Sequence, residues 1–212
     1  GDPLLHQAFD QLVQQAKQAG VHAVHVRTEL RCDRDGLESL LVNGVDVISV
    51  DLHADSPATY QRMMGDDRFG EVLKNIEYLI NHRKRLSDHS PVEALAVPWI
   101  MPRLQRCDAT YADLESFYDR WQHVLGAAII EGGPGGSIEG DSIEPAVMPA
   151  KVVQRELSRR MLVLSDGTVP VSECDDDAGM AGNIAEQSLE SLWQHLRSMR
   201  NTSSKPVRVC FA

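Results

Sequence analysis

The chain has 212 residues, 42% of them hydrophobic, enough to bury the core of one large domain or of one domain with an appendage. Its formal net charge of −10 and pI near 5.2 argue against nucleic acid or an anionic membrane as partner, because a polyanion is repelled over most of such a surface. No run of about 18 apolar residues marks a membrane helix and no signal peptide is visible, so a cytoplasmic location is the expectation.

The first element is an amphipathic helix entered directly from Gly1-Asp2-Pro3-Leu4-Leu5-His6, with Phe9, Leu12, Val13 and Ala16 on one face and Gly20 as a left-handed stop. A helix with no strand before it reads as the interior of a larger fold, and an N-terminally truncated chain is expected. Val21 to Val26 is a short strand-like run. Asp35 to Asn43, closed by Gly44, has helical periodicity, and Val45 to Leu52 reads as a near-continuous apolar strand buried on both faces. Ser56 is an N-cap with Pro57 at the first helical position of a helix ending at Gly65. Phe69, Val72, Leu73, Ile76, Leu79 and Ile80 mark a longer helix. Val92 to Met101 reads as a strand, Thr110 as the cap of a helix carrying Leu114, Phe117, Trp121 and Val124, and Ala127 to Glu131 as another strand. This alternation predicts parallel strands joined by right-handed crossovers, hence an α/β fold and an open or partial (β/α) barrel. Four strands are too few to close one.

Residues 132 to 150 break the pattern with five glycines and three prolines, and predict a loop or linker. Beyond it, Met161 to Leu164, Asp166-Gly167 and Thr168 to Ser172 read as a β-hairpin. Ser188 begins a helix with Leu189, Leu192, Trp193 and Leu196 on one face. The expected organisation is a barrel-type domain over 1–150 and a small α+β extension over 151–212.

Several motifs then occur in a fixed order. Ile48-Ser49-Val50-Asp51 is followed by Ser56-Pro57-Ala58-Thr59-Tyr60; Asp166-Gly167-Thr168-Val169 by Cys174, the acidic Asp175 to Asp177, Gly182-Asn183-Ile184 and Ser188-Leu189-Glu190-Ser191-Leu192-Trp193. Together with the opening Gly-Asp-Pro-Leu-Leu-His string, this order resembles the radical S-adenosylmethionine family with a C-terminal SPASM or twitch extension, nearest those associated with cell-surface sugar pathways. The resemblance implies a parent enzyme that uses S-adenosylmethionine and a [4Fe-4S] cluster to make a deoxyadenosyl radical. Asp2 would then meet the cofactor's amino group, Thr28 would lie in the loop after a strand, Ser49 and Asp51 would contact the methionyl or ribosyl part, and Arg103 would pair with its carboxylate. Ser49 and Asp51 alternate onto one side of their strand, and a guanidinium fits a carboxylate with two parallel hydrogen bonds.

The cluster needs three thiolates from a CxxxCxxC loop, and no such spacing occurs among Cys32, Cys107, Cys174 and Cys210. The chain by itself is therefore expected to hold neither cofactor, cluster or S-adenosylmethionine, and to be inactive, with Cys174 alone unable to hold an auxiliary cluster. Two other classes stay open. Asp51, His53 and Asp55, with His25 on the preceding strand and Glu131 on a later one, form a pattern that suits a divalent-metal-dependent hydrolase. A non-catalytic interaction module is the third. A two-fold dimer through the Val21 to Val26 edge or the first helix is also expected, since that run lacks Lys or Pro to protect it.

Overall fold

The computed structural model describes residues 1–85, 96–132, 158–172 and 179–202. The chain divides into two compact units, Gly1–Glu131 and Gly132–Ala212. The first is a mixed α/β unit. Its strands β1 (His25–Thr28), β2 (Val47–Asp51), β5 (Trp99–Arg106) and β6 (Ile129–Gly132) form a four-stranded parallel sheet in the order β1-β2-β5-β6. Two short strands, β3 (Lys84–Arg85) and β4 (Ala96–Val97), pair antiparallel beside it. Helices α1 (Phe9–Gln18), α2 (Arg34–Val42), α3 (Pro57–Met64), α4 (Phe69–His82) and α5 (Leu114–Leu125) fill the connections. Sheet neighbours are neighbours in the chain, as in singly wound folds and unlike doubly wound sheets, whose order reverses.

Local chemistry sets most helix ends. Asp33 Oδ1 accepts from Gly36 N at the start of α2, and Ser56 Oγ accepts from Thr59 N at the start of α3, with Pro57 at the first helical position. Gly65 closes α3 at φ +78° and Gly126 closes α5 at φ +69°, a conformation that suits glycine. Val26, Ile48, Val50, Ile100 and Leu104 of the sheet pack with Leu37, Leu40, Tyr60, Val72, Ile76, Leu79, Phe117 and Trp121 of the helices in one core.

The elements differ from expectation at five places. β1 begins at His25 rather than Val21. The Val21 N–H is used on the Ala16 carbonyl in closing α1 and Val24 N donates to the Asp46 carboxylate, so the ladder begins only at the Val24 carbonyl, which accepts from Val47 N. Leu12 and Val124, placed inward by helical spacing, are 53% and 43% exposed, because the apolar stripes that meet the core are narrower than the periodicity suggests. β5 runs to Arg106, five residues past its expected end, whereas 91–95 lie outside the described residues. Thr110 caps nothing: its hydroxyl donates to the Gln105 carbonyl and accepts from Cys107 N, and a 3-10 turn over Tyr111–Asp113 precedes α5. In the second unit, Met161 to Leu164 is no strand. Strand β7 (Thr168–Pro170) instead pairs antiparallel with β8 (Met180–Asn183), and Leu164 contributes one ladder-like bond, from its N–H to the Thr168 carbonyl.

That second unit has its own core, Val169, Val171 and Ala181 against Leu192 and Leu196 of α6 (Leu189–Thr202). Residues 133–150, expected to be a loop, lie outside the described residues, as do Cys174, Asp175 to Asp177 and Cys210.

Candidate functional site

Alternation along the strands gives the sheet of the first unit two unlike faces. Val26, Ile48 and Ile100 share one cross-strand row and Thr28, Val50 and Pro102 another; these rows face the core. The rows between them carry His25, Val47 and Trp99, then Arg27, Ser49 and Met101, then Asp51 and Arg103. Parallel strands are ordinarily apolar on both faces. Here one face holds a connected set of polar and charged groups near the carboxyl ends of the strands, and β2 is accordingly apolar on one side only.

The set is ordered around two carboxylates. Arg27 Nε lies 2.7 Å from Asp51 Oδ2 and 3.0 Å from Oδ1, and Arg103 Nε lies 3.3 Å from the same Oδ1. Arg103 also pairs through Nη2 with Glu131 Oε1, while Arg27 Nη2 stands 3.7 Å from Glu131 Oε2. Arg103 is only 1% exposed. Its burial, with Arg27 nearby, lowers its pKa and Asp51 opposes the shift, but an arginine remains a cation in a protein. His25 Nε2 and Ser49 Oγ are 2.7 Å apart.

His53 completes the rim. It is one of two non-glycine residues at positive φ among the described residues, at +52°, the other being Leu30 at +56°; each follows the carboxyl end of a strand. Such backbone is costly and gathers at sites where the surroundings over-determine it. The His53 N–H donates to the Arg103 carbonyl and its Nδ1 accepts from Gln105 N, which leaves the proton on Nε2, 3.8 Å from Asp51 Oδ1. Burial lowers the pKa of His53, with Asp51 opposing and both arginines adding to the shift. Burial first, then Arg103 and Arg27, lowers that of His25 as well.

Both histidines are thus harder to protonate when folded than when unfolded. Between their folded values and the ordinary 6.5 the unfolded chain binds more protons, so stability rises with pH across that window and is lost as the pH is lowered through it. Urea midpoints at pH 7.5 and pH 5.5 are expected to show a clear loss on acidification. His53→Gln flattens the dependence, and an unchanged slope in that variant would sink the assignment.

The structure brings some expected residues together and separates others. Ser49 and Asp51 do share a face, and Arg103, expected beyond its strand, lies inside β5 and is enclosed by Asp51 and Glu131. Asp2 and Thr28 meet each other instead of this set: Thr28 Oγ1 donates to Asp2 Oδ2 at 2.7 Å, Glu29 N to the same oxygen at 2.8 Å, and Leu4 N to Oδ1 at 2.9 Å. Asp2 thereby ties the 3-10 turn Pro3–Leu5 to the end of β1. The Asp51, His53, Asp55 string does not converge, since Asp55 Oδ1 lies 2.8 Å from Arg120 Nε. Among the described residues no three His, Cys, Asp or Glu side chains form a metal-binding group.

The residue that sequence reasoning missed is Arg27. Its signal was present, because Arg27 alternates with Val26 and Thr28, but only the register with Ser49 sets it beside Asp51.

The described cysteines do not fit an iron-sulfur cluster. Cys107 is buried with its sulfur 3.8 Å from Met63 Sδ, on a segment separate from Cys32. Burial, with Asp2 and Asp33, pushes the Cys32 thiol up to about 11, so it stays protonated at neutral pH. No described helix is long and apolar enough to cross a membrane. Searches against protein-family models and against curated proteins returned no match.

Proposed function

We propose that the first unit is part of a (β/α) barrel of radical S-adenosylmethionine type, and that the polar face of its sheet holds a small polar ligand, S-adenosylmethionine. The observation that carries this reading is Asp51: at the carboxyl end of a parallel strand it shares a polar face with Ser49, and the Ser56-Pro57 cap of the next helix follows it directly. Ligands of parallel α/β sheets sit at that end of the strands. The chain order of the strands adds support, as barrels are built that way.

Asp51 and Ser49 would hold the ligand from below, and the two arginines would balance Asp51 and Glu131 so that the face carries no large charge. When bound with an iron-sulfur cluster, the cofactor supplies a carbon radical; the described cysteines are not arranged for that cluster, and no electron-transfer step is assigned to them. The whole protein's substrate in this reading is a small molecule of the sugar-pathway kind, and its location cytoplasmic.

Titration of the chain with S-adenosylmethionine, followed by saturation-transfer NMR and calorimetry, tests the reading. Against the expectation drawn from the missing cluster loop, saturable binding is expected even without the cluster, because Ser49 and Asp51 both lie in this chain's own sheet; it is weakened at least about tenfold by Asp51→Asn and by Ser49→Ala, with circular dichroism confirming that both variants fold. Absence of binding at millimolar cofactor, or binding indifferent to both substitutions, removes it.

A further inference from the structure

We propose that the outer edge of the Arg27 guanidinium is a docking site for the carboxylate of a small organic acid, bound beside the ligand of Asp51 and Ser49. The two arginines on the polar face have different surroundings. Arg103 is enclosed by Asp51 and Glu131 and 1% exposed. Arg27 is anchored at one corner only: its Nε sits on the Asp51 carboxylate, its side chain is 38% exposed, and Nη2 stands 3.7 Å from Glu131, beyond hydrogen-bond range. Among the described residues neither Nη group makes a hydrogen bond. The Asp51 contact fixes the plane of the guanidinium, so its two Nη groups form a pre-oriented pair of donors, the geometry that matches a carboxylate.

Charge selects the kind of anion. Asp51 and Glu131 are balanced by Arg27 and Arg103, and both neighbouring histidines are held toward the neutral form. A monocarboxylate adds one negative charge to this balanced face. A phosphate dianion adds two, with two protein carboxylates close by, and is disfavoured. Position selects the role: among the described residues β1 is the edge strand, one strand out from Ser49 and Asp51. A ligand on Arg27 therefore lies beside one centred on β2, as a second substrate would. The inference rests on the preceding reading only in taking the polar face as a ligand surface, and not on the identity of the other ligand.

The test is NMR of the arginine side-chain Nε–H signals during titration with sodium acetate and, separately, with inorganic phosphate, at ionic strength held constant with sodium chloride. Acetate is expected to shift the Arg27 signal saturably and phosphate to bind more weakly. Arg27→Gln is expected to abolish the response of the face, and Arg27→Lys, which keeps the charge on Asp51 and guards against a folding defect, to weaken it at least about fivefold. S-adenosylmethionine added over acetate should bind without displacing it. Displacement, a response that survives in both variants, or tighter binding of phosphate overturns the proposal. Acetate binding without S-adenosylmethionine binding overturns the preceding reading and leaves this one standing.

Discussion

Replacing Arg103 by alanine is expected to lower the stability of the first unit by about 3–5 kcal/mol, the loss seen when one member of a buried ion pair is removed and its partner stays charged and buried. Arg103 heads the wholly buried side chains among the described residues and neutralises Glu131 directly and Asp51 in part. Asp51 retains Arg27, so the heavier burden falls on Glu131, whose other arginine contact is the 3.7 Å one. The double replacement Arg103→Met with Glu131→Gln removes the charge together with its counter-charge and is expected to cost less than half as much. Urea unfolding followed by circular dichroism measures both. A loss under about 1 kcal/mol in Arg103→Ala contradicts the picture of a buried network, and a double variant no better than the single one assigns the effect to packing.

Asp2→Ala is expected to cost about 2–3 kcal/mol, less than the sum of three hydrogen bonds to a carboxylate because they share one group. Leu4 N, Thr28 Oγ1 and Glu29 N all lose their acceptor. Thr28 Oγ1 also accepts from Leu30 N, so the damage reaches the residue held at positive φ. Asp2→Asn keeps one carbonyl oxygen and is expected to recover roughly half. Under the proposed reading, if Asp2 acts only by positioning, both variants are expected to bind S-adenosylmethionine with the affinity of the unsubstituted chain at temperatures where they remain folded. Affinity that falls in Asp2→Asn out of proportion to stability instead makes Asp2 a direct contact.

Several helix ends were legible because capping is a property of a few adjacent residues: Ser56 and Pro57 start α3, Gly65 ends it, and Gly44 follows α2 at φ +84°; the start of α5 was not, because the Thr110 hydroxyl is taken by Gln105 and Cys107. The sharing of one face by Ser49 and Asp51 was legible for the same reason, since the alternation of a strand needs no partner. The strand order could be anticipated from the alternation of strand and helix, and the parallel four-stranded sheet follows it. Where a strand begins was not legible. Val21 to Val26 is as apolar as a strand, but the start of β1 at His25 depends on Asp46, more than twenty residues on in the chain, taking the Val24 N–H. The partner of β7 was misplaced for a similar reason. Asp166-Gly167 does form a turn, but which segment completes the ladder depends on β8 and its packing under Leu192 and Leu196.

The site shows the same division most plainly. Sequence by itself named Asp51, Ser49 and Arg103 and put a pattern of acids and histidines at the strand ends. Only the tertiary structure decided that Arg103 is inside rather than beyond its strand, that Asp55 turns to Arg120, and that Arg27 stands next to Asp51 with its outer edge open. The reason is register. A strand fixes its own alternation, whereas the residue that lies across from it is set by hydrogen bonds to chain segments far away in sequence, and a shift of one position would exchange the charged face for the apolar one.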